Sequence, residues 1–341
     1  MPSVAPRLMR RSVAAALGLL ILLAAGCSEE PAPGPDAPAA AAGAQAEAAG
    51  SPYWVDPRSD AARQVLAWEA QGRNSDAQLL RRISERPMAL WMSGGDPAPA
   101  LRRARAAAKA SGQVLLLVAH NIPHRDCGPH SAGGAKDAAA YRAWVGALAG
   151  TLADTRAVVV LEPGAVPHVV DGCIPAALRE ERYGLLSEAV DRLKRNRNTR
   201  VYLDAGHPAW IRDPADLVGP LRKAGLARAD GFSLNVSQFR PDAASRSYGA
   251  EISRGTGGAH FVVDTSRNGA GPPTGEPSKA WCNPPGRSLG VPPTDRTGDP
   301  LVDAYLWIKR PGESDGPCRG GPEAGGWWPD HALGLARRAR D

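Results

Sequence analysis

Seven short apolar runs recur along the chain, and most pairs of them are separated by a stretch long enough for a helix. The runs are ALWMS (89–93), QVLLLVA (113–119), AVVVLEP (157–163), RVYLDA (200–205), GFSLNV (231–236), HFVVDTS (260–266) and AYLWIK (304–309). Apolar runs of this length without polar alternation are buried on both faces, as in a sheet covered on both sides. Between them lie Ala-, Leu- and Arg-rich segments of helical period, Ala98 to Ala110, Asp137 to Ala153, Ala176 to Lys194 and Pro214 to Leu226. Strands and helices in alternation argue parallel strands joined by right-handed crossovers. The expected fold class is α/β, a distorted parallel β/α barrel of about seven strands, TIM-barrel-like, with a doubly wound open sheet as the alternative.

The N-terminal residues belong to no such pattern. Residues 1–27 carry Arg7, Arg10 and Arg11, then an apolar run from Val13 to Ala25, then Gly26-Cys27. A basic segment, a short apolar segment and small residues make an export signal, and the run is too short for a typical spanning helix. LAAGC resembles a bacterial lipobox, which implies a lipid on Cys27; an ordinary cleaved signal is the alternative. Residues 28–51 are Ala, Pro, Gly and acid with no aromatic residue, and are expected to form a disordered linker. The remaining 52–341 is the expected catalytic domain, of ordinary length for an α/β barrel.

Residues 1–51 hold three Arg against Glu29, Glu30, Asp36 and Glu47, so with a total of +6 the rest of the chain carries +7. That modest excess, without a basic run interleaved with aromatics, argues against a nucleic-acid partner. With Cys27 assigned to the signal, four of the five cysteines remain: Cys127, Cys173, Cys282 and Cys318. An even number in an exported chain favours two disulfides. Three pairings are open; Cys127 with Cys173 and Cys282 with Cys318 would each close a loop of roughly forty residues, stabilising by ~3–4 kcal/mol in the chain-entropy model. Zinc is the alternative, but no CxxC spacing supports it.

In a β/α barrel, function gathers where the strands end. Here Asp126 follows the second run, Glu162 closes the third, Asp204 the fourth, Asn235 the fifth, Asp264 the sixth, and Glu313 with Asp315 the seventh. Asp126 sits in HNIPHRDCGPHSAGG (120–134), a strand end that breaks into Pro, Arg-Asp, Cys and paired glycines. One acid of this kind is more often a helix cap than a catalyst; acids at five strand ends weaken that explanation. A rim of carboxylates without a His/Cys ligand cluster points to glycoside hydrolysis. Tryptophan is the commonest aromatic, nine against three Phe. Trp54, Trp210, Trp281, Trp327 and Trp328 fall in Gly/Pro-rich loops, where indole faces suit pyranose rings, whereas Trp68 and Trp144 fall at core positions of helices.

These residues also carry a resemblance. NIPHRDCG, the EP turn of VVVLEPG, YLDAGHPAW, SLNVS, VVDTSRNGAGP, WCNPPGRSLG and TGDPLVDAYLWIKRPGESDG together resemble glycoside hydrolase family six, the inverting β-1,4-glucanases that include endoglucanases and cellobiohydrolases. The similarity covers essentially all of residues 52–341. It implies a distorted barrel, the two disulfides Cys127–Cys173 and Cys282–Cys318, no metal or organic cofactor and a β-glucan substrate; separately, the lipobox implies a tether to the outer membrane face through Cys27, and the chain is expected to be a monomer. By the same resemblance Asp126 supports the catalytic acid and the distortion of the sugar ring, and Asp315 is the base. Lys309 and Glu313 fall on substrate-contacting positions, Trp210 and Trp281 on sugar platforms, and Asp204 and Asn235 on polar groups of the cleft; Trp54 joins them as a substrate-binding candidate.

Three positions depart from the family pattern. The general acid of the family is the aspartate of an EPD turn, and here the turn reads Glu162-Pro163-Gly164. A tyrosine that presses on the sugar is His120, and a serine that holds the catalytic water is Ala132, with Ser131 beside it as a substitute. Two readings follow. In one, a rewired hydrolase draws its proton from Asp126 or from the imidazole of His120 or His124; in the other, the chain is a tethered glucan-binding protein without catalysis.

Overall fold

The computed structural model describes residues 51–340 apart from 129–131 and 275–279. The export signal with Cys27, the linker up to residue 50, and Ser131 lie outside the described residues. All seven apolar runs are strands: β1 (Leu90–Met92), β2 (Leu115–Ala119), β3 (Ala157–Leu161), β4 (Thr199–Asp204), β5 (Gly231–Leu234), β6 (His260–Asp264) and β7 (Val302–Leu306). They form one sheet in sequence order with every neighbouring pair parallel. A doubly wound sheet reverses its order about a central strand, so the sequential order settles the choice for a curled β/α half-barrel.

The distortion lies at the seam. No ladder joins β7 to β1 among the described residues. The two edges meet through the Ala89 N–H, which donates to the Trp307 carbonyl at 3.0 Å, and the Trp91 indole, which donates to the Ile308 carbonyl at 2.8 Å.

Strand side chains alternate between two apolar layers, which explains why the runs show no polar alternation. Leu116, Val118, Val158, Val160, Tyr202, Val262, Ala304 and Leu306 pack together inside the curled sheet. Leu115, Leu117, Val159, Leu161, Val201, Leu203, Phe232 and Phe261 face outward onto helices. Those helices include α3 (Ala98–Ala110), α4 (Ala138–Leu152), the one-turn α5 (Pro167–Val170), α6 (Ala176–Lys194), α7 (Ala215–Lys223) and α8 (Asp242–Thr256). Two helices precede the sheet, α1 (Asp60–Ala70) and α2 (Asn74–Ser84), and α9 (Pro329–Arg338) follows it. These three share a separate cluster built on Trp68, Leu80, Ile83, Leu289, Trp307, Leu333 and Leu335. Trp68 and Trp144 are core residues, as their helical positions suggest; Trp54, 7% exposed, joins the outward core and offers no face to a sugar, which corrects its expected role.

Packing of α8 on the sheet is tight at one point. A Cβ placed on Gly249 would lie 2.4 Å from Cζ of Phe261, and that ring is itself stacked on Phe232 with centroids 5.1 Å apart. Alanine improves helix propensity over glycine by ~1 kcal/mol, but overpacking costs ~1–3 kcal/mol, and a wedged ring has little room to yield. Gly249→Ala is therefore expected to lower the free energy of unfolding in a denaturant titration, and an increase would show that Phe261 relaxes freely.

Candidate active site

Three of the strand-end acids serve the backbone. Glu162, at positive φ just past β3, accepts the N–H of Asn121 on both oxygens at 3.0 and 2.9 Å and that of Ile122 at 3.0 Å. Burial raises its pKa to about 7 against these hydrogen bonds. Asp204 ends β4 and accepts the N–H of Gly164 at 2.8 Å, the N–H of Gly206 at 3.3 Å and the Ser233 hydroxyl at 3.1 Å; burial raises it to about 6. Asp264 ends β6 and accepts the N–H of Ser237, Ser266 and Lys309, each at 2.9 Å. Each carboxyl thus holds a loop that leaves a neighbouring strand. Asn235 does the same with an amide, donating to the Asp264 carbonyl at 2.8 Å and accepting the Arg240 N–H at 3.0 Å. Asp204 and Asn235 are 2% and 0% exposed, so the expectation that they touch sugar is corrected: their polar atoms are occupied in shaping loops.

The loop after β2 brings Asp126 to one side of the site. Asp126 Oδ1 accepts the Gly128 N–H at 3.0 Å and lies 3.4 Å from Nε2 of His168. Burial pushes this carboxyl up, but His168 and the N–H groups of Gly128 and Cys127 outweigh it and hold the pKa below the ordinary value. His168 stands on α5, one turn after Gly164, and its N–H bonds to the Gly164 carbonyl at 2.9 Å. Its ring meets Trp210 edge to face at 4.7 Å between centroids. Nδ1 lies 3.5 Å from Oδ2 of Asp171, and the Trp210 indole donates to that same oxygen at 2.8 Å. The Cys127–Cys173 disulfide joins this loop to the residues after α5, and Arg182 of α6 reaches the carbonyls of Pro123 and His124. Cys127, His168 and Cys173 converge within 4.8 Å, but both sulfurs are bonded to each other and offer no thiolate to a metal.

His120, the surrogate acid suggested by the sequence, stands edge-on to Trp91 at 5.3 Å. Burial, followed by the charge of Arg125, pushes its imidazole down to about 3. The neutral imidazole that burial favours is a weak acid, which argues against a donor role for His120.

Asp315 occupies the other side, beyond β7. Its Oδ2 accepts Nη1 of Arg267 at 2.9 Å and the Asn283 N–H at 3.0 Å, and its own N–H bonds to Oδ1 of Asn283 at 2.8 Å. Nζ of Lys309 is 3.7 Å from Oδ1. Burial pushes the carboxyl up, yet Arg267 and Lys309 together hold it below the ordinary aspartate value. Asn283 follows Cys282, whose disulfide to Cys318 ties the two loops that meet at Asp315. Glu313 is buried and paired with Arg310, so its carboxylate answers a neighbouring cation. Trp281 is 39% exposed and remains a platform candidate, as does the half-buried Trp210.

Sequence reasoning missed His168, Asp171 and Arg267. His168 lies on the one-turn α5, which follows the turn containing Gly164. A shallow cavity of about 530 Å³ lined by Gly94, Asp96, Asn121, Lys136 and Trp144 contains neither Asp126 nor Asp315.

The fold and the site define a curled β/α half-barrel with two separate carboxylates at its strand ends. The profile of Glycosyl hydrolases family 6 matches residues 48–339, and the chain belongs to that family. It is 40% identical over 299 residues to "Endoglucanase A" of Thermobispora bispora, covering 86% of this chain and 63% of that protein. It is 40% identical over 294 residues to "Endoglucanase A" of Cellulomonas fimi, covering 85% and 62%. It therefore spans less than two thirds of these relatives. The endoglucanase Cel6 of Mycobacterium tuberculosis, solved with methyl-cellobiosyl-4-deoxy-4-thio-β-D-cellobioside, superposes with a TM-score of 0.78 at 42% identity, covering 85% of this chain and 98% of that one.

Glu162 gives a pH test of the loop clamps. Its pKa in the folded protein is raised, so the folded state binds the proton more tightly than the unfolded chain, and its contribution to stability falls as pH rises from the ordinary carboxyl range through about 7. Glu162→Gln keeps a neutral group at every pH but turns one acceptor into a donor facing N–H groups, at a cost of ~1–3 kcal/mol. The advantage of the wild type over this variant in chemical denaturation is expected to shrink between pH 5 and about 7.5; a constant difference would contradict the raised pKa of the buried carboxyl.

Proposed function

We propose that this chain hydrolyses β-1,4-linked glucan with inversion at the anomeric carbon, at the site bounded by Asp126 and Asp315. The observation that carries the reading is the pair of separately held carboxylates, each beside its own disulfide, in a chain of this family. Inversion needs a proton donor at the leaving oxygen and, across the sugar, a carboxylate that receives a proton from the attacking water. Asp315 suits the second role. Arg267 and Lys309 keep it ionised, so it is always ready to accept, and they also lower its basicity. Its part is to orient the water and take the proton as charge develops on the water oxygen. Trp281 and Trp210 are the platforms on which glucose units stack.

Export and a lipid on Cys27 belong to the same proposal, supported by the basic and apolar segments that end in LAAGC. A monomer fits the surface, since the exposed large apolar side chains among the described residues are Leu66, Trp281 and Val291, too few for an obligate interface.

Reducing-sugar release from soluble β-1,4-glucan tests the activity. The wild type is expected to turn over, and Asp315→Asn to lose about 10²–10⁴-fold in rate. Glucan retained in affinity electrophoresis without any turnover by the wild type would return the chain to a binding-only role. Cys27→Ser is expected to move the protein from the membrane fraction to the soluble fraction; an unchanged distribution would remove the lipid from the account.

A further inference from the structure

Gly164 leaves the hydrolase without the side chain that donates a proton in its family, and the structure contains another group at that place. We propose that His168 is the proton donor to the leaving glycosidic oxygen. This assignment rests on the hydrolase reading and names the group that completes it.

Position is the first argument. A Cβ built on Gly164 would lie 3.2 Å from Cδ2 and 3.3 Å from Nε2 of His168. The imidazole therefore fills the space into which a side chain at 164 would grow, and Nε2, the atom nearest Asp126, is at the root of the missing carboxyl. Any side chain at 164 would require the His168 ring to give by a few tenths of an ångström.

Charge is the second. Nε2 and Nδ1 face Asp126 at 3.4 Å and Asp171 at 3.5 Å, and Asp204 lies near enough to feel the charge of His168. Both ring edges of His168 thus face carboxylate oxygens, and among the described residues no cation is paired with the ring. The other titratable groups around it do not compete for the role. His120, on the loop after β2, and His207, before Trp210, are pushed down by burial to about 3 and about 4. Arg125 and Arg182 are engaged with loop carbonyls. Asp126 is held ionised, so it accepts and stabilises where the sequence suggested that it donates.

Fixing is the third. Trp210 packs on the ring and holds Asp171 by its indole N–H, and the Cys127–Cys173 disulfide ties the residue after Asp126 to the turn that follows α5. The donor and its carboxylate are thus tied by covalent and stacked contacts, as a general acid requires.

The step balances. The Nε2–H of the imidazolium passes its proton to the glycosidic oxygen as the bond from that oxygen to the anomeric carbon breaks. Water bonds to the anomeric carbon from the opposite face and gives a proton to Asp315. His168 is left neutral and Asp315 protonated, and proton exchange with solvent restores both.

The test compares two substrates: soluble β-1,4-glucan, whose alkoxide leaving group needs a proton, and 2,4-dinitrophenyl β-cellobioside, whose phenolate leaves without one. The variant used is whichever of His168→Gln and His168→Asn melts with the wild type. Its rate on glucan is expected to fall about 10²–10⁴-fold and its rate on the aryl glycoside by less than about tenfold. Equal losses on both substrates, or none on either, would overturn the donor assignment and leave the hydrolase reading standing. A wild type that cleaves the aryl glycoside but not glucan would overturn the donor assignment and the glucan substrate together. A wild type that cleaves neither would overturn the hydrolase reading and the donor with it.

Discussion

A carboxyl group buried at the end of a parallel strand, with its oxygens filled by the N–H groups of neighbouring loops, is the interaction on which this molecule depends. Glu162, Asp204 and Asp264 repeat it along the sheet. Loops cannot bury their backbone without partners, and at a strand end the ladder no longer supplies them. An acid there substitutes several strong acceptors for the missing carbonyls. The desolvation cost is visible in the raised pKa values of Glu162 and Asp204, and the return is a set of loops held in fixed positions before any ligand arrives.

That scaffold separates two kinds of acid. Glu162, Asp204 and Asp264 hold backbone, whereas Asp126 faces an imidazole and Asp315 faces side-chain cations, each beside a disulfide. Cys127 adjoins Asp126, and Cys282 adjoins Asn283, which clasps Asp315 from both of its polar ends. Each disulfide shrinks the unfolded ensemble by ~3–4 kcal/mol in the chain-entropy model, and each also ties one half of the site to a second loop. Gly164 lies against this arrangement, with the His168 ring of the following α5 3.2 Å from where a Cβ at 164 would stand.

The strands were legible in the sequence because burial on both faces leaves an unbroken apolar run, and Ala98–Ala110 and Ala176–Lys194 emerge with the bounds their period suggests. The site was legible in part. Position at a strand end identified Glu162, Asp204, Asn235 and Asp264 as important, but a polar residue there can point at a cleft or at a backbone amide, and sequence does not separate the two. Trp54 was misread for a related reason: Gly and Pro nearby marked a loop, while the indole itself packs inward. Arg267 and His168 escaped because their roles come from contacts with residues forty or more positions away, Asp315 for the one and Asp126 for the other.

The central claim is that this site cuts β-1,4-glucan by direct displacement across the anomeric carbon although Gly164 carries no acid. Proton NMR during the first minutes of hydrolysis of a soluble cello-oligosaccharide reads the configuration of the new reducing end before mutarotation. The account predicts that the α-anomer forms first; first formation of the β-anomer, or no new anomeric signal at all, would contradict it.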